Sequence, residues 1–229
     1  GVNDNSYAYI CFNPIAEIYV ENNFIIKSFP DGNKEKIEIK ENVNVVNELD
    51  KFFKLFKCQK NNKKFLNNGV FGYMNYDSVK HFEDINLNSK ENDIKIPEIY
   101  YAFYSNIIVI NVFNNQAILF HHSFNKPSNL EAILDHINSN KSTKYPFLKS
   151  GNLNSNMNDQ EFIDLVKKGI KHCYRGDVFQ IVLSRRFSQK FEGDEFNLYR
   201  ALRSVNPSPY LFYFDYGNYK IFGSSPEAQ

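Results

Sequence analysis

The chain reads as an α+β protein, a sheet-rich two-layer sandwich with helices packed outside. Three observations predict this. Short runs of aromatic and β-branched residues, broken by turn residues, dominate the first half of the chain. Apolar residues at helical spacing, some preceded by capping residues, appear between and after those runs. Strands come early and helices are interspersed late, which is the ordering of an α+β architecture.

In chain order, Tyr7 to Phe12 is the first strand. Ile15 to Val20 and Phe24 to Phe29 form a hairpin around Glu21-Asn22-Asn23. Val43, Val46, Leu49, Phe53 and Phe56 recur at helical spacing and give an amphipathic helix whose stripe is core. Gly69 and Gly72 then interrupt an aromatic strand, Gly69-Val70-Phe71-Gly72-Tyr73-Met74-Asn75-Tyr76-Asp77. Glycines there leave room for a close backbone or a ligand, or mark a bulge, and packing is the default. The dinucleotide glycine fingerprint is missing. Tyr100 to Tyr104, Ile107 to Phe113 and Ala117 to His121 continue as a meander, and Ser128 with Glu131 opens a helix through a capping box.

From Asn138 to Asn156 the chain is rich in Ser, Asn and Lys with almost no apolar pattern. That composition predicts a linker with a boundary near residue 150, giving domains 1–150 and 151–229. Asn158 with Glu161 caps a helix bearing Phe162, Val166 and Ile170, and Gly176 stops it. Val178 to Phe187 is a strand: Val178, Gln180, Val182 and Ser184 share one face, Phe179, Ile181, Leu183 and Phe187 the other. Asp194 caps a short helix that ends at Pro207 and Pro209. Tyr210 to Tyr216 and Tyr219 to Phe222 form a hairpin across Gly217-Asn218. Ser225, Pro226 and Glu227 read as the N-cap and first two positions of a further helix.

Composition narrows the function. At 42% hydrophobic and 23% charged, the chain is an ordinary soluble globular protein. Its 27 basic and 26 acidic residues leave a net charge of +1, so no global field draws nucleic acid or an anionic membrane. The local cluster Lys171, Arg175, Arg185, Arg186 and Lys190 is interrupted and reads as a solvated face. Cys11, Cys58 and Cys173 form no Cys-x-x-Cys pair, which argues against a disulfide framework or zinc site and fits a reducing cytoplasm. The histidines show no ligand spacing, no apolar run approaches membrane-spanning length, and the first residues lack the basic-then-apolar shape of a signal peptide. Because the sequence starts at Gly1, the natural N-terminus is expected to lie upstream.

Three polar features stand out. Gln180 is an amide in an apolar strand face, and burying it costs about 1–3 kcal/mol unless it is paired. Its partner is either backbone or a ligand. Glu227 sits in the first turn of an expected helix, where the dipole favours a carboxylate by roughly 0.3–1 kcal/mol. It is either a dipole partner or a general acid aimed into a cleft. In Pro207-Ser208-Pro209-Tyr210 two prolines fix φ around a serine, making a stiff corner that can also rim a ligand.

Taken together, Gly176-Asp177-Val178-Phe179-Gln180, Asn206-Pro207-Ser208-Pro209-Tyr210-Leu211 and Ser225-Pro226-Glu227 resemble the start of the chorismate-binding core of anthranilate synthase large subunits (component I). Gly69-Val70-Phe71-Gly72-Tyr73 to Asp77 looks like that family's Gly-x-x-Gly-Tyr segment. The resemblance implies that Glu227 is the general acid for loss of the ring C4 hydroxyl of chorismate. Relatives that add water carry a lysine where this chain has Gln180, and an amide cannot act as that base. Gln180 thus points to the ammonia-using branch, anthranilate or aminodeoxychorismate synthase.

The Asn-Pro-Ser-Pro-Tyr corner favours anthranilate synthase. There it lines a tryptophan feedback site, which makes Pro209, Tyr210 and Leu211 the implied inhibitor contacts. Leu211 stands where methionine is common, a volume-conserving change. A glutamine amidotransferase subunit is the implied ammonia-supplying partner. The family's Leu-Leu-Glu-Ser segment is expected before residue 1, and its catalytic histidine and Mg²⁺ glutamates after Gln229. Mg²⁺ is therefore implied for an intact subunit with no ligand assigned here, and the 229 residues alone are expected to be inactive. Outside that reading stand aminodeoxychorismate synthase component I and a non-catalytic amino-acid-binding module.

Overall fold

The computed structural model describes residues 6–57, 65–85, 87, 94–124, 130–139 and 146–227. The fold is α+β and rich in sheet, as expected, and divides into two compact units, Gly1–Asn140 and Lys141–Gln229.

Two long antiparallel strands organise the first unit, β1 (Tyr7–Glu21) and β5 (Ile99–Asn111). The sequence suggests a break in each, but both run through. β1 does so by a bulge: Asn13 takes φ 59° and the register shifts between Pro14 and Ala16. Pro14, which has no N–H for the ladder, still stands opposite Tyr104, and the extra residue of the bulge follows it. β2 (Phe24–Ser28) follows across a turn in which Asn22 and Asn23 both have positive φ, 49° and 64°. Asparagine tolerates that geometry, and it is the hairpin the sequence predicts. β3 (Lys34–Glu38) is new, since Lys-Glu-Lys-Ile-Glu has little strand character. It lies at the sheet edge, where charged side chains block unwanted pairing. β4 (Phe71–Met74) and β6 (Gln116–His121) both pair with the far side of β5, giving the order β3-β2-β1-β5-β4 with β6 also on β5.

Helix α1 (Val45–Leu55) starts at Asn44, whose side chain accepts from the Asn47 N–H at 2.9 Å. Its fully buried residues are Val45, Leu49 and Phe52, so the stripe is rotated by about one position from the one expected. Val43, Phe53 and Phe56 pack around its margin. The helix covers Ala16, Ile18, Val20, Ile25, Ile99 and Phe103. Phe52 contacts the rings of Phe29, Phe56 and Phe103, and its burial contributes roughly 1.5–3 kcal/mol. Lys27 is buried at the margin of this core, 2.7 Å from Glu48 of α1 and 3.4 Å from Glu35 of β3. Gly72 is required by the sheet itself, since a Cβ there would lie 1.8 Å from the Tyr100 carbonyl oxygen. Of the readings open for that glycine, the close backbone is the one realised. Helix α2 spans Leu130–Asn138, and the expected cap Ser128 lies outside the described residues.

In the second unit, β7 (Phe147–Ser155) pairs antiparallel with β8 (Phe187–Gly193). β7 falls where the sequence reads as a linker. Most of its side chains are exposed, so a polar composition is compatible with this narrow two-stranded ribbon. Helix α3 (Asp159–Tyr174) has the expected capping box, with both reciprocal bonds between Asn158 and Glu161 present, and Gly176 closes it at φ 77°. Helix α4 (Glu195–Val205) is capped by Asp194, again as expected. The hairpin of β9 (Tyr210–Asp215) and β10 (Lys220–Ser225) turns at Gly217-Asn218, closed by the Tyr216 N–H donating to the Tyr219 carbonyl at 3.1 Å. No helix among the described residues is long and apolar enough to cross a membrane.

Candidate active site

Two of the three motifs that the sequence singles out meet at one end of the β9–β10 hairpin. Tyr210 pairs with Ser225 and Leu211 with Ser224. Behind them, the Ser224 hydroxyl donates to the Asn206 carbonyl at 2.6 Å and ties the proline corner to β10. Two residues beyond, the Glu227 N–H donates to Ser225 Oγ at 3.2 Å, and that hydroxyl donates to the Glu227 carbonyl at 2.7 Å. The first of these is the bond an N-cap serine makes to the second helical position. The helix expected to follow lies outside the described residues. Pro209, Tyr210 and Glu227 are exposed, and Leu211 is half-buried.

The hairpin is held rigidly from below. Phe196 and Tyr199 of α4 pack on Tyr213, with ring centroids at 5.0 and 5.4 Å, and Tyr213 stacks on Phe222 at 5.8 Å. Burial, together with the negative charges of Glu195 and Asp215, pushes the Tyr213 phenol up to about 12. Lys220 bridges the same carboxylates, 2.9 Å from Glu195 and 3.6 Å from Asp215. Gly223 faces Phe212 across the ladder, and a Cβ at that position would lie 2.6 Å from the Phe212 ring. Continuing the expected hairpin one residue past Phe222 puts this glycine opposite an aromatic, which is its signal in the sequence.

The Gly-Asp-Val-Phe-Gln motif takes a different form from the one expected. Residues 178–186 are not a sheet strand, and β8 begins only at Phe187. The segment is instead clamped at its ends against α3. At one end Asp177 meets His172 Nδ1 at 2.8 Å and Arg175 at 2.7 Å. At the other, Arg185 donates to Asp159 at 2.7 Å and to Ser155 Oγ at 2.9 Å. The Arg186 N–H donates to Asn156 Oδ1 at 3.0 Å. Arg185, with its side chain 17% exposed, therefore leaves the solvated basic face assigned to it and serves as an anchor, whereas Arg175 stays exposed as expected while pairing with Asp177. Between the anchors, Ile181 and Leu183 rest on α3 at Gly169, where an added Cβ would touch both at 3.4 Å.

The predicted alternation of faces thus holds for Ile181 and Leu183, and Gln180 lies on the open side. Its side chain is exposed, which corrects the expectation of a buried amide. The reason is physical: burial of that face needs neighbouring strands, and none among the described residues pairs with this segment. The structure gives no contact between Gln180 and Glu227.

Among the described residues no three His, Cys, Asp or Glu side chains gather to hold a metal ion, so the implied Mg²⁺ does not fit the residues present. The first unit has an open cleft of about 930 Å³ walled by Phe29, Phe56, Phe103, Phe124, His121 and His122. None of the expected site residues lines it.

Comparison with known proteins decides the family. Residues 4–228 match the model described as chorismate binding enzyme. The chain belongs to the chorismate-binding enzymes. Among curated relatives, anthranilate synthase component 1 of Aquifex aeolicus is 34% identical over 177 residues, covering 69% of this chain and 35% of the relative. The Saccharomyces cerevisiae component 1 is 32% identical over 197 residues, covering 78% of this chain and 39% of the relative. The crystal structure of anthranilate synthase component I from Streptococcus pneumoniae superposes with a TM-score of 0.75 at 24% identity, over 99% of this chain and 52% of that one. That likeness shows the fold. The chain spans about a third of the length of the curated relatives it matches.

Proposed function

We propose that this chain is part of an anthranilate synthase large subunit, in which chorismate and ammonia give anthranilate, pyruvate and water. The observation that carries this reading is the junction of the Asn-Pro-Ser-Pro-Tyr corner with the Ser-Pro-Glu turn through the Tyr210–Ser225 pair and the Ser224–Asn206 bond. Ammonia forms a bond to ring C2, the ring electrons shift, and the C4–O bond breaks. Glu227 gives the proton with which the hydroxyl leaves as water. Loss of pyruvate then makes the ring aromatic. Gln180, an amide, offers hydrogen bonds but no proton acceptor strong enough to activate water, which leaves ammonia as the nucleophile.

Glu227 follows Ser225, the cross-strand partner of Tyr210, and tryptophan is proposed to bind as feedback inhibitor at Pro209, Tyr210 and Leu211. An amidotransferase subunit is the proposed ammonia source and the cytoplasm the proposed location. Mg²⁺ is proposed for the whole subunit, on residues outside those described.

The test is a chimera in which residues 158–227 replace the matching segment of the Aquifex aeolicus relative. With chorismate, Mg²⁺ and ammonium, anthranilate fluorescence is expected from the chimera and none from the 229-residue chain alone. Glu227→Gln in the chimera should lower kcat by about 10²–10⁴-fold. A non-fluorescent 4-amino product would reassign the chain to the aminodeoxychorismate branch. An unimpaired Glu227→Gln chimera would remove the general acid from the scheme.

A further inference from the structure

The proline corner of the candidate site is fastened from the far end of the β9–β10 hairpin. Helix α4 meets β10 through a polar contact near each of its ends. Near its start, Glu195 lies 2.9 Å from Lys220. At its C-cap, the Asn206 carbonyl accepts from the Ser224 hydroxyl at 2.6 Å. Glu195 and Asn206 stand eleven positions apart, about 16 Å along a helix. Lys220 and Ser224 stand four positions apart, about 13 Å along a strand. The lysine side chain spans the difference, so α4 and β10 run side by side in the same direction. Between the two contacts the packing is aromatic, with Phe196 and Tyr199 on Tyr213, and Tyr199 on Phe222. Apolar contact is non-directional, so the rings press α4 onto the hairpin without fixing its place along it. The polar contacts at the ends fix that place.

The corner has little slack to absorb a slide of α4. Four steps join Asn206 to Tyr210, and Pro207 and Pro209 fix φ at two of the three residues between. One end of this span continues α4 and the other begins β9. A slide therefore breaks the Ser224–Asn206 bond or pulls Tyr210 from Ser225. Lys220 stands where it can prevent this. It also lies 3.6 Å from Asp215, whose Oδ1 accepts from the Gly217 N–H at 2.8 Å and is thereby fixed to the turn. The Lys220 and Glu195 side chains are only 25% and 22% exposed. Their hydrogen bond holds the Glu195 carboxyl below its ordinary range and the Lys220 ammonium above its own.

We propose that Lys220 is a positioning residue for the candidate site. Bound to Glu195 and Asp215, it sets the register of α4 on the hairpin and so the place of the Asn-Pro-Ser-Pro-Tyr corner. The mechanical role follows from the fold, and its effect on catalysis and inhibition rests on the function proposed above.

Amide hydrogen exchange on the 229-residue chain tests the mechanical role. Lys220→Met should speed exchange across residues 208–212 about tenfold, with β1 and β5 exchanging as in the parent. Glu195→Gln, which keeps the size of its side chain, should do the same. The double variant should add nothing further, because the two side chains make one contact. Lys220→Arg, which keeps the charge, should exchange within about twofold of the parent. Three results would overturn the proposal: unchanged exchange at 208–212 in both single variants, additive effects in the double variant, or Lys220→Arg behaving like Lys220→Met. The chimera described above then reads the effect on the site. There Lys220→Met should lower kcat and raise the tryptophan concentration for half inhibition, each about tenfold, with KM for chorismate unchanged. A general loss of folded enzyme would lower kcat without moving half inhibition, and that result would also overturn the proposal. A parent chimera that makes no anthranilate would count against the proposed function, and the exchange result would decide the positioning role by itself.

Discussion

Lys27 and Glu48 show how a single pair can govern the first unit. Both side chains are nearly buried, 8% and 15% exposed, and they meet at 2.7 Å. Hydrogen bonds from Lys27 and then Lys51 hold the Glu48 carboxyl below its ordinary range. A carboxylate lowered by folding stabilises fully above its unfolded-state pKa and loses that contribution as pH falls through the folded-state value. Glu48→Gln leaves Lys27 with only the longer contact to Glu35, and removing one partner of a buried pair costs about 3–5 kcal/mol. Urea unfolding at neutral pH should show a loss approaching that size, and the variant should lose less further stability on acidification than the parent. Gly72→Ala is a steric counterpart. Its Cβ would overlap the Tyr100 carbonyl and force β4 off β5, so a loss of more than about 2 kcal/mol in the same assay is expected. A neutral Gly72→Ala would mean that the β4–β5 register is not as described.

At the scale of elements, legibility followed how local each signal was. The capping box of α3, the Asp194 cap of α4 and the Gly217-Asn218 turn depend on residues within a few positions of one another, and all formed as read. Asn158→Ala should therefore cost about 1 kcal/mol and fray the first turn of α3, visible as faster exchange near Glu161. What escaped depends on partners distant in sequence. β3 is a strand because β2 accepts it, and β7 because β8 does, although neither has strand-like composition. Residues 178–186 fail in the opposite sense: their composition is that of a strand, but no described neighbour supplies the ladder. The site divides in the same way. The juxtaposition of Tyr210 with Ser225 follows from a hairpin that could be drawn from sequence, whereas the anchors of Asp177 and Arg185 join residues brought together only by folding.

Across the whole molecule, the two units differ in how well each is supplied with a core. In the first, α1 and the sheet bury nine residues in one cluster, Phe52 and five β-branched side chains among them. In the second, Gly169 is the only fully buried residue among those described. A chain that buries so little apolar surface cannot offset the conformational entropy of ordering it, roughly 1–2 kcal/mol per residue for the backbone alone. Residues 1–140 expressed alone should therefore unfold cooperatively, with slow exchange at Ile18, Ile99 and Ile107. Residues 141–229 alone should show no cooperative transition by calorimetry. A sharp transition in the second piece would require core contacts that the described residues lack.

This imbalance has a direction in time. Synthesis runs from the N-terminus, at about 5–20 residues per second, so the self-sufficient unit emerges first. The sheet and α1 can close while the later residues are still being added, a delay on the order of 10 s. Throughout that interval the nascent protein is a finished domain trailing an unfinished one, with Phe179 and Val182 displayed in water. In a crowded cell these are features that chaperones retain and that neighbouring polypeptides stick to. The charged edge of β3 screens the first unit from such encounters, whereas Phe179 and Val182 have no such screen.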